Sequence, residues 1–157
     1  QIQALAYTLT LEESVASLSQ GLDDMDKADA RGVSDLERIM RAWLTGSGRL
    51  LLAIGMESWD LNDPVDQRSR KALLLDRNVH MAERTARKLT QAPEKSFVFA
   101  FGAFHFLGEG SVVELLQKDG FTVTRMCAPD PEAEQRLLDE DPWLKPQPKT
   151  VPVGAGG

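Results

Sequence analysis

Apolar residues recur every three or four positions through the first half of the chain, fuse into the run Phe97-Val98-Phe99-Ala100-Phe101, and then alternate with polar ones in "FTVTRM". The first pattern is helical and the last is strand-like. Thr10 and Glu13 have the spacing of a capping box, and Leu11, Val15, Leu18 and Leu22 follow at helical intervals, which predicts an amphipathic helix over 11–25. Ser34 with Glu37 repeats the device ahead of Leu36, Ile39, Met40 and Trp43, which line one face of a short helix that Gly46 should stop. "GRLLLAIGMESW" predicts a third helix. Asp63 as N-cap and Pro64 at the first helical position open the longest element, running to about Gln91 with Asp66/Arg70 and Glu83/Arg87 as i,i+4 pairs.

Residues 96–101 are apolar without alternation, the signature of a strand covered on both faces, as in a parallel sheet. Ser111 and Glu114 form a third capping box, and Val112, Val113, Leu115 and Leu116 carry a helix to Gly120. With "FTVTRM" as a second strand, residues 96–126 read as a β-α-β unit with a right-handed crossover, so the fold class is α/β and helix-rich. Two strands cannot make an independent doubly wound sheet, so more of the sheet is expected elsewhere. Residues 1–127 read as the domain, and 128–157, acidic and then rich in Pro and Gly, as a tail or linker. No internal repeat is evident.

Composition narrows the function classes. A chain of 157 residues, 42% hydrophobic, can bury roughly two-thirds of its unfolded surface in one domain. A net charge of -6 with no basic run argues against nucleic acid as a partner. The single cysteine, Cys127, offers neither an intrachain disulfide nor a CxxC knuckle. No stretch approaches the ~20 apolar residues of a membrane span. The opening "QIQALAYTLT" lacks an initiator Met and a leader-like core, and reads like the middle of a longer protein.

His105 is the leading candidate for chemistry. It sits at the carboxyl end of the expected buried strand, the edge where open α/β sheets assemble ligand sites. Gly102 lets the chain turn off the strand, while Gly108 and Gly110 let backbone approach a ligand ahead of a helix N-terminus. One GxxH alone is read first as a core histidine satisfied by a backbone carbonyl, because metal sites usually need three or more ligands. Arg77 lies among Leu73, Leu74 and Met81, with Val65, Ala72, Leu75, Val79, Ala82 and Ala86 on the opposite side, so it is either half of a structural ion pair or a site residue. Asn78 beside it reads more simply as structural. His80, four residues after Asp76, is a surface histidine. Trp43, Trp59 and Trp143 read as packing anchors, and "GLDDMDKADAR" as a solvated turn, since Asp23, Asp24, Asp26 and Asp29 lack the EF-hand spacing.

In combination, "AWLTG", "LLLDRNVHMAERTARKL" and "FVFAFGAFHFLGEGSVVELLQKDGFTV" resemble, in order and spacing, the C-terminal half of the TraB/GumN/Tiki family, over residues 10–126. "FAFGAFHFLG" is most similar to the Tiki branch, metal-dependent proteases that clip secreted Wnt ligands. The resemblance implies an EreA/ChaN/TraB-like fold and a divalent metal (Mn, Co or Zn are not distinguished) held by two GxxH histidines and an acidic residue. It makes His105 one ligand, and Arg77 and Asn78 the family's Arg-Asn pair with catalytic roles. It also implies a hydrolase acting on secreted peptides or proteins at the cell surface or outside the cell, periplasmic in a bacterium. This chain departs from the pattern in having no second GxxH, so the first histidine and the acid are expected in an N-terminal half, without which the chain should be inactive. Phe104 stands where many relatives carry a small residue. The alternative is a non-catalytic module that binds a peptide such as a pheromone.

Overall fold

Capping chemistry decides where the chain turns. The computed structural model describes residues 9–144, and every described α-helix except one begins at a Thr, Ser or Asp whose side chain accepts a backbone N–H. Thr10 and Glu13 close the full capping box ahead of α1 (Leu11–Arg31), Ser34 caps α2 (Asp35–Leu44), and Ser47 caps α3 (Gly48–Met56). Asp63 with Pro64 opens α4 (Pro64–Arg70). The exception is α5 (Asp76–Gln91), which needs no cap because it continues α4 through a π-helical turn, Lys71–Leu75. Ser111 caps α6 (Val112–Lys118), and Asp130 with Pro131 opens α7 (Pro131–Glu140).

The molecule is therefore helix-rich, and among the described residues it contains no β-strand. Residues 96–101 and 121–125 flank α6 as the expected β-α-β unit would require, but no backbone ladder pairs either of them with another segment. The run expected to be covered on both faces is covered on one. Phe97, Phe99 and Phe101 are half-buried and stack in sequence, with ring centroids 5.9 and 6.5 Å apart, while Val98 on the other face is 97% exposed.

The core is formed by Ala42 of α2, Leu50, Leu51, Ala53 and Ile54 of α3, and Leu137 and Leu144, with Ile39, Phe104, Leu107 and Leu138 packed against them. Burying each of the leucines is worth about 1.5–3 kcal/mol. Part of the segment read from sequence as a tail thus belongs to the core: α7 lies against α2, and Leu144 follows it in. Residues 145–157, the rest of that segment, lie outside those described.

The same core sits under an ion network centred on a buried arginine. Arg38, 1% exposed, donates through Nε to Asp141 at 2.6 Å and through Nη1 and Nη2 to the two oxygens of Glu57 at 2.5 and 2.9 Å. These carboxylates raise the guanidinium's pKa beyond its already high value, Glu57 chiefly. A planar fork satisfied on two sides is how a buried arginine is tolerated.

Several faces differ from their periodicity. Leu36, Met40 and Trp43 were expected to line the packed side of α2, yet they are exposed, and Arg38 and Ala42 are buried instead. The stripe Leu11, Val15, Leu18, Leu22 and Met25 of α1 is exposed as well; ion pairs from Glu13 to Arg68 and from Arg31 to Asp35 tie the helix at its two ends. The acidic run expected as a turn is helical up to Arg31, because the left-handed Gly32 terminates α1 only there. Trp43 and Trp143 are exposed rather than anchors, and Trp59 is half-buried. Neither Asp66/Arg70 nor Glu83/Arg87 forms an ion pair; Asp66 accepts the Asp60 N–H at 2.7 Å instead. No described helix is long and apolar enough to cross a membrane.

A candidate site around His105

The apolar extended segment ends at Gly102, whose carbonyl accepts the His105 N–H at 3.0 Å and starts a 3₁₀ turn, Ala103–Phe106. That turn is pinned on three sides. Phe104 packs against Gly55 and Leu107 against Gly48, the two glycines of α3, where a Cβ would come within 2.5 Å of Phe104 Cζ and 2.7 Å of Leu107 Cδ2. Phe106 packs at a tilt against Phe101, with centroids 5.7 Å and ring planes 35° apart. His105 is left facing α5.

There it meets Asn78, the most deeply buried residue of that helix at 0% exposure. His105 Nδ1 lies 2.6 Å from Asn78 Oδ1, and Asn78 Nδ2 donates to the Gly110 carbonyl at 2.7 Å. These two bonds assign each other. The Gly110 oxygen can only accept, so it must face the amide NH₂; the amide oxygen is then left for His105, and Nδ1 must carry the proton. Neutral His105 is therefore the Nδ1–H tautomer, with its lone pair at Nε2. Burial, and then the charge of Arg77, hold the ring's pKa below the ordinary histidine value. The imidazole is neutral at physiological pH, the form in which it ligates metal.

Asn78 can face the loop because of the π turn. The wide turn at Lys71–Leu75 changes the register of everything after it, so the buried face of α5 is Asn78, Ala82 and Thr85, while Val79, expected on the apolar stripe, is exposed. Arg77 is half-buried, makes no ion pair among the described residues, and donates through Nη1 to the Leu73 carbonyl of the π turn at 3.3 Å. The structural ion pair left open for it is absent there. His80 is exposed, with Glu83, not Asp76, as its charged neighbour at 3.7 Å.

The expected glycines divide. Gly108 and Gly110 take φ of 74° and 70°, left-handed conformations that suit glycine. A Cβ on Gly110 would also sit 3.0 Å from Leu75 Cδ2. Gly102 has an ordinary φ of -60°, and a Cβ there would make only a 3.7 Å contact with His105 Cδ2. Gly110 carries more of the geometry than Gly102.

One neutral nitrogen with its tautomer set by a buried amide fits a metal ligand and the hydrogen bond that orients it. Among the described residues, no group of three or more His, Cys, Asp and Glu side chains is placed to hold a metal ion. What is present is a single neutral imidazole.

The TraB/PrgY/gumN family model matches residues 1–125. A metalloprotease TIKI homolog of Nematostella vectensis is 31% identical over 123 residues, 77% of this chain and 26% of that protein. Metalloprotease TIKI2 of Danio rerio is 40% identical over 82 residues, 52% of this chain and 16% of its own length. Metalloprotease TIKI1 of Xenopus tropicalis is 46% identical over 59 residues, 38% of this chain and 12% of its own length. The chain thus spans about a quarter or less of these relatives. No solved structure matches.

Proposed function

The chain belongs to the TraB/PrgY/gumN family, and from that premise we propose that it forms part of a metal-dependent hydrolase of the metalloprotease kind, with His105 contributing one metal ligand through Nε2. The observation that carries this reading is the Asn78–His105 bond, which puts the proton on Nδ1 and leaves the lone pair on the other nitrogen. The remaining donors, a second histidine and an acidic residue, belong to sequence outside this chain. A divalent metal, Mn, Co or Zn, would supply Lewis acidity and a bound water of lowered pKa.

The chain's own residues have separate tasks. Asn78 holds the ring. Arg77, half-buried and without a carboxylate partner among the described residues, is a cation available to a developing oxyanion or a substrate carboxylate. Gly108 and Gly110 keep backbone rather than side chain along the loop that follows His105.

The finer proposal is a Tiki-like protease of secreted peptides or proteins, Wnt among them, acting at the cell surface or outside the cell. In the whole protein, residues 96–101 and 121–126 become parallel strands of an EreA/ChaN/TraB-like sheet, with α6 as the right-handed crossover between them. The test is Co²⁺ titration and peptide turnover by the full-length protein and its His105→Ala variant. Loss of both in the variant, with the helical circular dichroism kept, is the expected result. Unchanged stoichiometry and turnover in the variant refute the ligand role. Metal-independent peptide binding without cleavage would point to a sequestering module instead.

A further inference from the structure

Gly110 has both of its backbone polar groups committed to side chains. Its carbonyl accepts from Asn78 Nδ2 at 2.7 Å, and its N–H donates to Glu114 Oε2 at 2.6 Å. In an ordinary capping box the glutamate would reach back to the N–H of the cap residue, here Ser111. Only half of that box is built: Ser111 Oγ accepts the Glu114 N–H at 3.3 Å, but the glutamate passes over Ser111, whose own N–H bonds the Gly108 carbonyl, and takes Gly110. Lys118 Nζ holds the other carboxylate oxygen, Oε1, at 2.7 Å. A charged clamp therefore closes a loop that contains two left-handed glycines and would otherwise be soft.

What the clamp holds is the one group that decides which way the Asn78 amide points. If the Gly110 carbonyl moves away, nothing else at Asn78 among the described residues distinguishes its oxygen from its nitrogen, and a turned amide would present a donor to His105 Nδ1 and draw the ring proton to Nε2. We propose that Glu114 is a positioning residue for the His105 imidazole, acting through the Gly110 backbone and the Asn78 amide. Its functional meaning rests on His105 being a metal ligand, but the ring state it concerns is measurable without metal.

The experiment is ¹⁵N-histidine NMR of the metal-free full-length protein at pH 7.5, beside Co²⁺ titration, for wild type, Glu114→Ala, Glu114→Asp, Glu114→Gln and Ser111→Ala. Wild-type His105 should show a protonated Nδ1 and an unprotonated Nε2. Glu114→Ala should move the ring toward a tautomer mixture and weaken Co²⁺ binding about tenfold, the lower end of the range for groups that orient a ligand. Glu114→Asp keeps the charge and a favourable residue at the start of α6 but is one methylene short, so it should behave like Glu114→Ala, and it decides the matter if that variant does not fold. Glu114→Gln still offers an oxygen to Gly110 and should restore the wild-type signature. Ser111→Ala removes the cap and should lower the melting temperature without moving the ring signal. A wild-type ring signature in Glu114→Asp, or an equal shift in Ser111→Ala, overturns the proposal. A ring shift in a protein that binds no Co²⁺ leaves the positioning role standing and refutes the ligand reading.

Discussion

Replacing Asn78 with Ala removes the amide that bridges α5 to the loop after His105. The side chain is fully buried, and its two hydrogen bonds, 2.6 Å to His105 Nδ1 and 2.7 Å to the Gly110 carbonyl, run to atoms with no other side-chain partner among the described residues. Leaving a buried donor or acceptor unpaired costs about 1–3 kcal/mol each, so the pair should cost about 2–6 kcal/mol. Alanine recovers about 0.5 kcal/mol of helix propensity, and water entering the gap recovers more, which leaves a net loss of about 2–4 kcal/mol. Urea unfolding of the full-length protein followed by circular dichroism reads the loss. A double-mutant cycle with His105→Ala isolates the pair and should return a coupling of about 1–3 kcal/mol. A loss below about 0.5 kcal/mol, or additive single mutants, would mean that amide and ring do not hold each other, and the tautomer assignment would fall with them.

Gly55→Ala should lose about 1–3 kcal/mol, because its Cβ would be driven into the Phe104 ring, and Phe104→Leu in the same chain should recover much of it; urea midpoints that show no cost for the single variant refute the packing argument. Between pH 7.5 and 5.5 the protein should lose stability through His105. Its folded pKa lies below the ordinary value of about 6.5, so the unfolded chain takes up the proton first as pH falls and folding is progressively disfavoured until the folded pKa is passed. Glu13 and Glu114, whose pKa values are lowered, add their losses only at more acid pH, below the ordinary 4.5. Thermal melts of His105→Gln should fall less over that window than those of wild type, and an equal fall excludes His105 as the source.

The parts of this fold that were legible in the sequence are those settled within four residues. The caps at Thr10, Ser34, Asp63 and Ser111 all stand where spacing puts them, and each opens a helix. Asp130-Pro131 is the same start signal as Asp63-Pro64, and α7 was readable by that rule, although the acidic, proline-rich surroundings pointed to a tail. Faces were harder. The apolar stripes of α1 and α2 predict burial, but periodicity names a face without naming what covers it, and in α2 an arginine took the inside because two carboxylates from distant segments meet it there. At the site, Asn78 and His105 were each picked out, whereas their bond spans 27 positions and depends on a π turn for which "KALLL" carries no local signal. Spacing makes Glu114 the partner of a cap at Ser111, and its reach to Gly110 instead is a matter of loop conformation.

Shared ancestry and folding draw their boundaries in different places in this chain. The family match stops at residue 125, yet the guanidinium of Arg38, well inside it, finds one of its two main counter-ions at Asp141, well outside it. A protein cut where the family match ends would leave that cation in the interior without Asp141, and would strip Leu137 and Leu144 from the core beside it. The stretch that homology leaves unassigned is thus part of what keeps the inherited part folded, and an expression boundary for this protein belongs beyond residue 144.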